Sequence, residues 1–136
     1  HDEWLTAIAA AAGRVDFIDQ ALIDYRQHGG NQIGMHRRTL GMKWRDLLLP
    51  RGRFLAAEAR RLRRLEEFLA HAGFATAPER AAQVRRKRVH FEQRVALGQL
   101  PRHQRLLPIL REAKAGCYRR YGTGARSMLR DLLRHD

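Results

Sequence analysis

The chain is poor in cysteine, in aromatic residues and in long apolar runs, and each shortage removes a class of protein. Its single cysteine, Cys117, rules out an internal disulfide framework and an all-cysteine zinc site, and suits a reducing compartment. No apolar run approaches the roughly 18 residues that span a bilayer, and the longest uncharged stretch, Trp4 to Gly13, is mostly alanine. No signal-peptide pattern opens the chain. Aromatic residues make up 7% of the sequence, too few to interleave with the basic runs as stacking platforms, which disfavours nucleic acid as the partner. Acids are outnumbered, 14 against 27 Lys and Arg, and the net charge of +13 calls for something anionic: nucleic acid, anionic lipid or a phosphorylated substrate.

What remains is an ordinary globular composition. The 136 residues are 44% hydrophobic, enough for one domain with a core. The first residue is His rather than Met, which fits a piece of a longer protein. Charge divides the chain: residues 1–36 hold two arginines and five acids for a net of −3, which leaves +16 on residues 37–136. Two regions with different roles are expected on either side of residue 36.

In the first region, Asp2 can cap a helix through Trp4, Leu5, Ile8, Ala9 and Ala12, with Gly13 at the usual stop. Val15 and Phe17 alternate with Arg14 and Asp16, and Leu22, Asp24 and Arg26 alternate with Ala21, Ile23 and Tyr25, which predicts two short strands joined through Asp19-Gln20. Gly29-Gly30-Asn31 then reads as a turn or loop.

From Leu40 the period is helical. Met42, Trp44, Leu47, Leu48 and Leu49 predict a short helix stopped by Pro50 and Gly52. Leu55, Ala59, Leu62, Leu65 or Glu66, and Leu69 form one stripe of a longer helix, with Arg60, Arg61, Arg63 and Arg64 off it and Gly73 at its end. Leu55, Leu62 and Leu69 at heptad spacing also permit a helix-pair homodimer. Thr76 and Glu79 at capping-box spacing, with Pro78 between, open a third helix that runs through Val84, Phe91 and Val95 to Gly98. Pro101 opens a fourth, which Pro108 should kink or split. Met128, Leu129, Leu132 and Leu133 place a last helix over about 125–133.

Two stretches carry chemistry. His1-Asp2-Glu3-Trp4-Leu5 and Tyr25-Arg26-Gln27-His28-Gly29-Gly30-Asn31, in this order and spacing, resemble the end of the catalytic domain of a family 2 glycosyltransferase with the glycosyltransferase A fold. The likeness is strongest over residues 1–34, and within the family the wording is closest to rhamnosyltransferase-like enzymes of surface polysaccharide assembly. The resemblance implies a mainly α chain, in which a short α/β end of the catalytic domain (1–36) precedes a basic α-helical extension (37–136). It implies Asp2 as the base of an inverting transfer, taking the proton of the acceptor hydroxyl. His28 becomes a ligand of Mn²⁺ or Mg²⁺ on the donor diphosphate, with Arg26, Gln27, Gly29, Gly30 and Asn31 around that diphosphate. On the residues alone, Asp2 reads as a helix cap and His28 as a solvated loop residue, and Arg26 is open between the diphosphate and an ion pair with Asp19 or Asp24.

The family's Asp-x-Asp metal motif is absent, and so is a Gly-rich phosphate loop before a helix. The expectation is therefore a fragment that is inactive by itself, with the main metal ligands upstream. A nucleotide-sugar donor, a glycan or lipid-linked acceptor and a cytoplasmic location at the inner face of the membrane follow from the resemblance. His1, His36, His71, His90, His103 and His135 fall at no metal-ligand spacing and are expected at the surface. The basic region reads as a solvated helical bundle, as a peripheral contact with anionic membrane through Leu106, Leu107, Ile109, Leu110, Leu129, Leu132 and Leu133, or as a non-catalytic module that binds nucleic acid through Arg85-Arg86-Lys87-Arg88.

Overall fold

The computed structural model describes residues 2–13, 15–16, 18–20, 39–71 and 77–134. Among them the chain forms seven helices: α1 (Asp2–Ala12), α2 (Leu40–Leu48), α3 (Gly52–His71), α4 (Pro78–Gly98), α5 (Arg102–Lys114), α6 (Cys117–Tyr121) and α7 (Ala125–Leu133). The mainly α expectation holds, and the helix boundaries follow local chemistry. The hydroxyl of Thr39 accepts from the Met42 amide at 3.3 Å and caps α2. Leu49 turns extended before Pro50, as a residue preceding proline must. Pro78 occupies the first turn of α4, where its missing N–H costs nothing, although the cap residue is Ala77 and supplies no side-chain acceptor. Thr76, the expected cap, lies outside the described residues. Gly116 and Gly124, with φ of 75° and 59°, make the two sharp changes of direction on either side of α6.

Two expectations need correction. Val15, Asp16, Ile18 and Asp19 form no strand, and there is no strand among the described residues. A strand is held by its ladder, and the alternation finds none here, so Val15 and Ile18 stay exposed. Arg14, Phe17 and the second expected strand over 21–26 lie outside the described residues. The second correction is Pro108, which does not split α5. The proline removes one backbone donor, but Ile109 is buried beside Leu97 and Tyr118, and that packing keeps the helix in one piece.

The centre of the molecule is the α3–α4 pair. Leu55, Ala59 and Leu62 pack on Phe91 and Val95, while Leu65 and Leu69 pack near Val84, so the two helices run antiparallel. The heptad leucines Leu55, Leu62 and Leu69 are all buried within the chain. Each fully buried leucine contributes about 1.5–3 kcal/mol. Across the seam, Arg88 contacts Glu66 at 2.5 Å and Arg63 contacts Glu92 at 2.6 Å, and within α4 Arg88 also contacts Glu92 at 2.7 Å.

The alanine-rich α1 lies against both central helices, with Trp4, Ala7, Ile8 and Ala11 around Leu65, Phe68 and Leu69. The Arg80 guanidinium donates to the Gly13 carbonyl and ties the end of α1 to α4. A second cluster covers the far end of α4, where Leu97, Ile109 and Tyr118 gather Leu100, Ala113, Met128 and Leu132. Helix α2 packs against α7.

Candidate functional site

Asp2 is the first residue of α1, at the positive end of the helix dipole. The other expected site residues, Arg26, Gln27, His28, Gly29, Gly30 and Asn31, lie outside the described residues, as does the Asp2 side chain. The described part of the site is therefore what surrounds α1.

Beside its first turns a cavity of about 460 Å³ opens between α1 and α3, lined by Trp4, Ala57, Arg60, Arg61 and Arg64. Helical spacing explains the lining. Arg60 and Arg64 are one turn apart, and Arg61 and Ala57 flank them on the same side of α3. The Trp4 ring is half-buried and meets the Phe68 ring edge-on, with centroids 6.1 Å apart. Arg61 is held by Glu58, Nε to Oε2 at 2.7 Å and Nη2 to Oε1 at 3.0 Å. Arg60 and Arg64 are exposed and have no ion-pair partner among the described residues.

A second polar cluster is buried where α4, α5 and α7 meet. Arg94 grips Asp131 with two hydrogen bonds, Nε to Oδ2 at 2.6 Å and Nη2 to Oδ1 at 3.2 Å. The Tyr118 hydroxyl donates to Oδ2 of the same carboxylate at 2.9 Å. Burial, then the Asp131 charge, pushes the Tyr118 phenol far above its usual value, so it remains a donor. Arg105 donates to the carbonyls of Leu100 at 2.7 Å, Arg134 at 2.9 Å, Gly98 at 3.3 Å and Asp131 at 3.3 Å. Arg134 donates to the Arg94 carbonyl. Two buried guanidiniums, Arg94 and Arg134, thus share the Asp131 carboxylate, while Arg105 is compensated by carbonyls at and just beyond the C-terminal ends of α4 and α7, the negative ends of their dipoles. This arrangement ties α4, α5 and α7 together.

Next to it, His90, Glu112 and Cys117 bring an imidazole, a carboxylate and a thiol within 4.8 Å of one another. His90, expected at the surface, is 1% exposed. The reason is register: it shares a face of α4 with Phe91 and Arg94 and is ringed by Tyr118 and Tyr121. Its Nδ1 lies 2.6 Å from Glu112, and its Nε2 has no hydrogen-bond partner. Burial holds the imidazole below its ordinary value, against the opposite pull of Glu112. Burial also pushes the Cys117 thiol up, so it is a poor thiolate ligand or nucleophile. The Gln93 amide, oriented with its nitrogen toward Glu112, donates to that carboxylate at 2.6 Å and 3.0 Å. Glu112 is thus already satisfied, and the trio reads as an internal hydrogen-bond cluster.

Sequence reasoning missed both clusters because it read arginine and histidine as solvated. The register signal was present: Arg94 is three residues from Phe91 and from Leu97, and Arg105 is four from Ile109. Among the described residues no helix is long and apolar enough to cross a membrane. The chain matches no family model, no curated protein and no solved structure.

Proposed function

We propose that the chain is the acceptor-side end of an inverting glycosyltransferase catalytic domain with its helical extension, part of an enzyme that moves a sugar from a nucleotide sugar to a glycan or lipid-linked acceptor. One observation carries the reading: the His1–Leu5 and Tyr25–Asn31 wordings stand in the order and spacing that the resemblance calls for, and a helix runs over Asp2–Ala12.

In this reading Asp2 takes the proton from the acceptor hydroxyl as its oxygen attacks the anomeric carbon from the face opposite the nucleoside diphosphate, which leaves with its bonding electrons. The base must lie within hydrogen-bond reach of that hydroxyl, about 3 Å. Arg26, Gln27, Gly29, Gly30 and Asn31 hold the leaving diphosphate, and the two glycines allow the backbone to approach it. His28 offers one imidazole to a divalent ion, Mn²⁺ or Mg²⁺, which when bound neutralises diphosphate charge. The buried His90–Glu112–Cys117 trio is unsuited to that role, since its carboxylate is already hydrogen-bonded and its thiol is protonated.

The test is Asp2→Asn in the full-length protein. The amide keeps the shape and one acceptor oxygen but cannot accept the proton, so transfer should fall by about a hundredfold or more while donor binding stays near its original value. Near-normal turnover removes the assignment.

A second reading is compatible with the first and rests on α5. Its outer face presents Leu106, Leu107 and Leu110, each about half exposed, in line with exposed Arg111 and Lys114. The one acid of α5, Glu112, is turned inward to His90. An apolar stripe with a cationic border and no acid suits an anionic lipid surface. A second copy of the chain would bring the same positive charges face to face, and nucleic acid would gain nothing from the leucines.

A further inference from the structure

The cavity between α1 and α3 is distinguished by what lines it. The cavity of about 550 Å³ between α3 and α4 sets Arg85 against Glu66, and the one of about 260 Å³ between α4 and α5 sets Arg94 and Arg111 against Glu112. Among the described residues the α1–α3 cavity has three arginines and no acid in its wall. Glu58 pairs with Arg61. Arg60 and Arg64, one helical turn apart, have no ion-pair partner among the described residues, a placement that disfavours the helix slightly through like-charge repulsion. A bound anion would relieve that repulsion.

Two guanidiniums one turn apart match a phosphate, which accepts several charge-assisted hydrogen bonds at once. The half-buried Trp4 indole, across from them on α1, offers an apolar wall suited to the C–H face of a sugar ring. The volume of about 460 Å³ accommodates a monosaccharide with its phosphate. The cavity also lies beside the helix whose first residue is the proposed base, and Trp4 is two residues along from Asp2, about 3 Å of helix rise.

We infer that the cavity formed by Trp4, Arg60, Arg61 and Arg64 binds a sugar phosphate ester, with Arg60 and Arg64 on the phosphate and Trp4 against the ring. The inference names an acceptor class for the proposed transfer and rests on that reading. It implies an acceptor held by a phosphate adjoining the sugar that is extended.

Isothermal titration calorimetry of the full-length protein with glucose 1-phosphate, inorganic phosphate and glucose tests it. Glucose 1-phosphate should bind more tightly than either inorganic phosphate or glucose. Arg60→Ala with Arg64→Ala should weaken glucose 1-phosphate by about tenfold or more, since charged hydrogen bonds are lost, while Arg60→Lys with Arg64→Lys keeps most of the affinity. Trp4→Phe, which retains the packing on Phe68, should narrow the advantage of glucose 1-phosphate over inorganic phosphate. Arg85→Ala with Arg86→Ala removes the same charge from α4 and should change nothing. Equal losses from the α3 and α4 pairs would show a general field effect and overturn the site, as would absence of glucose 1-phosphate binding. Octyl glucosyl phosphate tells the source: tighter binding than glucose 1-phosphate assigns a lipid-borne ester, equal binding a soluble one. A protein that binds glucose 1-phosphate through Arg60 and Arg64 but transfers no sugar retires the transferase reading alone. One that transfers sugar equally well with both arginines replaced retires the cavity alone.

Discussion

Arg94 on α4 and Asp131 on α7 face each other through two hydrogen bonds of 2.6 Å and 3.2 Å, with the carboxylate fully buried. The pair joins helices that are distant in sequence, and Tyr118 completes the carboxylate's shell from α6. Buried ion pairs are weak evidence for net stability, because desolvation offsets the attraction, but breaking one from a single side is costly.

Asp131→Ala should therefore destabilise the fold by about 3–5 kcal/mol, because it strands the Arg94 charge among apolar side chains. That is a large part of the total stability of a domain this size. Asp131→Asn should cost less, since the amide oxygen still accepts from Arg94. Urea unfolding followed by circular dichroism checks both. A loss below about 1 kcal/mol for Asp131→Ala would show that the arginines are compensated by the helix-end carbonyls alone.

The pH response should come from His90. Its folded-state value lies below the ordinary 6.5, first because it is buried and also because Arg94 is close, while Glu112 and Asp131 pull upward. The bare Nε2 points the same way, since a second proton there would have no acceptor. With the folded value depressed, the unfolded chain binds the proton more readily. The His90 contribution is thus complete above about pH 6.5, declines as pH falls below it and levels off beneath the folded value. Unfolding midpoints measured from pH 8 to pH 5, roughly the window around the ordinary histidine value, should fall on the acid side, and His90→Gln should flatten that part of the profile. An unchanged slope in His90→Gln would assign the acid loss to another group.

The long elements were legible because packing obeyed the helical period. The Leu55–Leu69 stripe of α3 is buried as its spacing implies, and α7 runs over Ala125–Leu133 where the leucine and methionine spacing put it. Helix α6 was not legible, since five residues are too few for a period and its position depends on Gly116 and Gly124. The polar clusters escaped for another reason. Charge predicts exposure only when no partner waits inside, and the partners of Arg94 and Arg105 sit on α7, brought near by the turns around α6. The α1–α3 cavity was likewise invisible: Trp4 counted as an apolar helix position and Arg60 and Arg64 as a solvated face, and only the packing of α1 on α3 brings them together. Asp2 could be singled out by resemblance alone.

The last prediction concerns the lipid surface and which leucines meet it. The sequence pattern put Leu129, Leu132 and Leu133 among the candidates, but Leu132 packs into the cluster of Leu97, Ile109 and Tyr118, so replacing it tests folding rather than attachment. Leu106, Leu107 and Leu110 are 50%, 58% and 49% exposed, and serine there leaves the core intact. Partial burial of each in a bilayer interface is worth about 1 kcal/mol, so Leu106→Ser, Leu107→Ser and Leu110→Ser together should weaken sedimentation with phosphatidylglycerol vesicles by about a hundredfold. Arg111→Ser with Lys114→Ser should also weaken it, by about 1 kcal/mol for each charge near the surface. Added salt should lower binding of the parent and have less effect on the charge variant, because only the electrostatic part is screened. Circular dichroism of each variant fixes that the helices persist. A folded triple-serine variant that sediments like the parent would show that α5 does not face the bilayer.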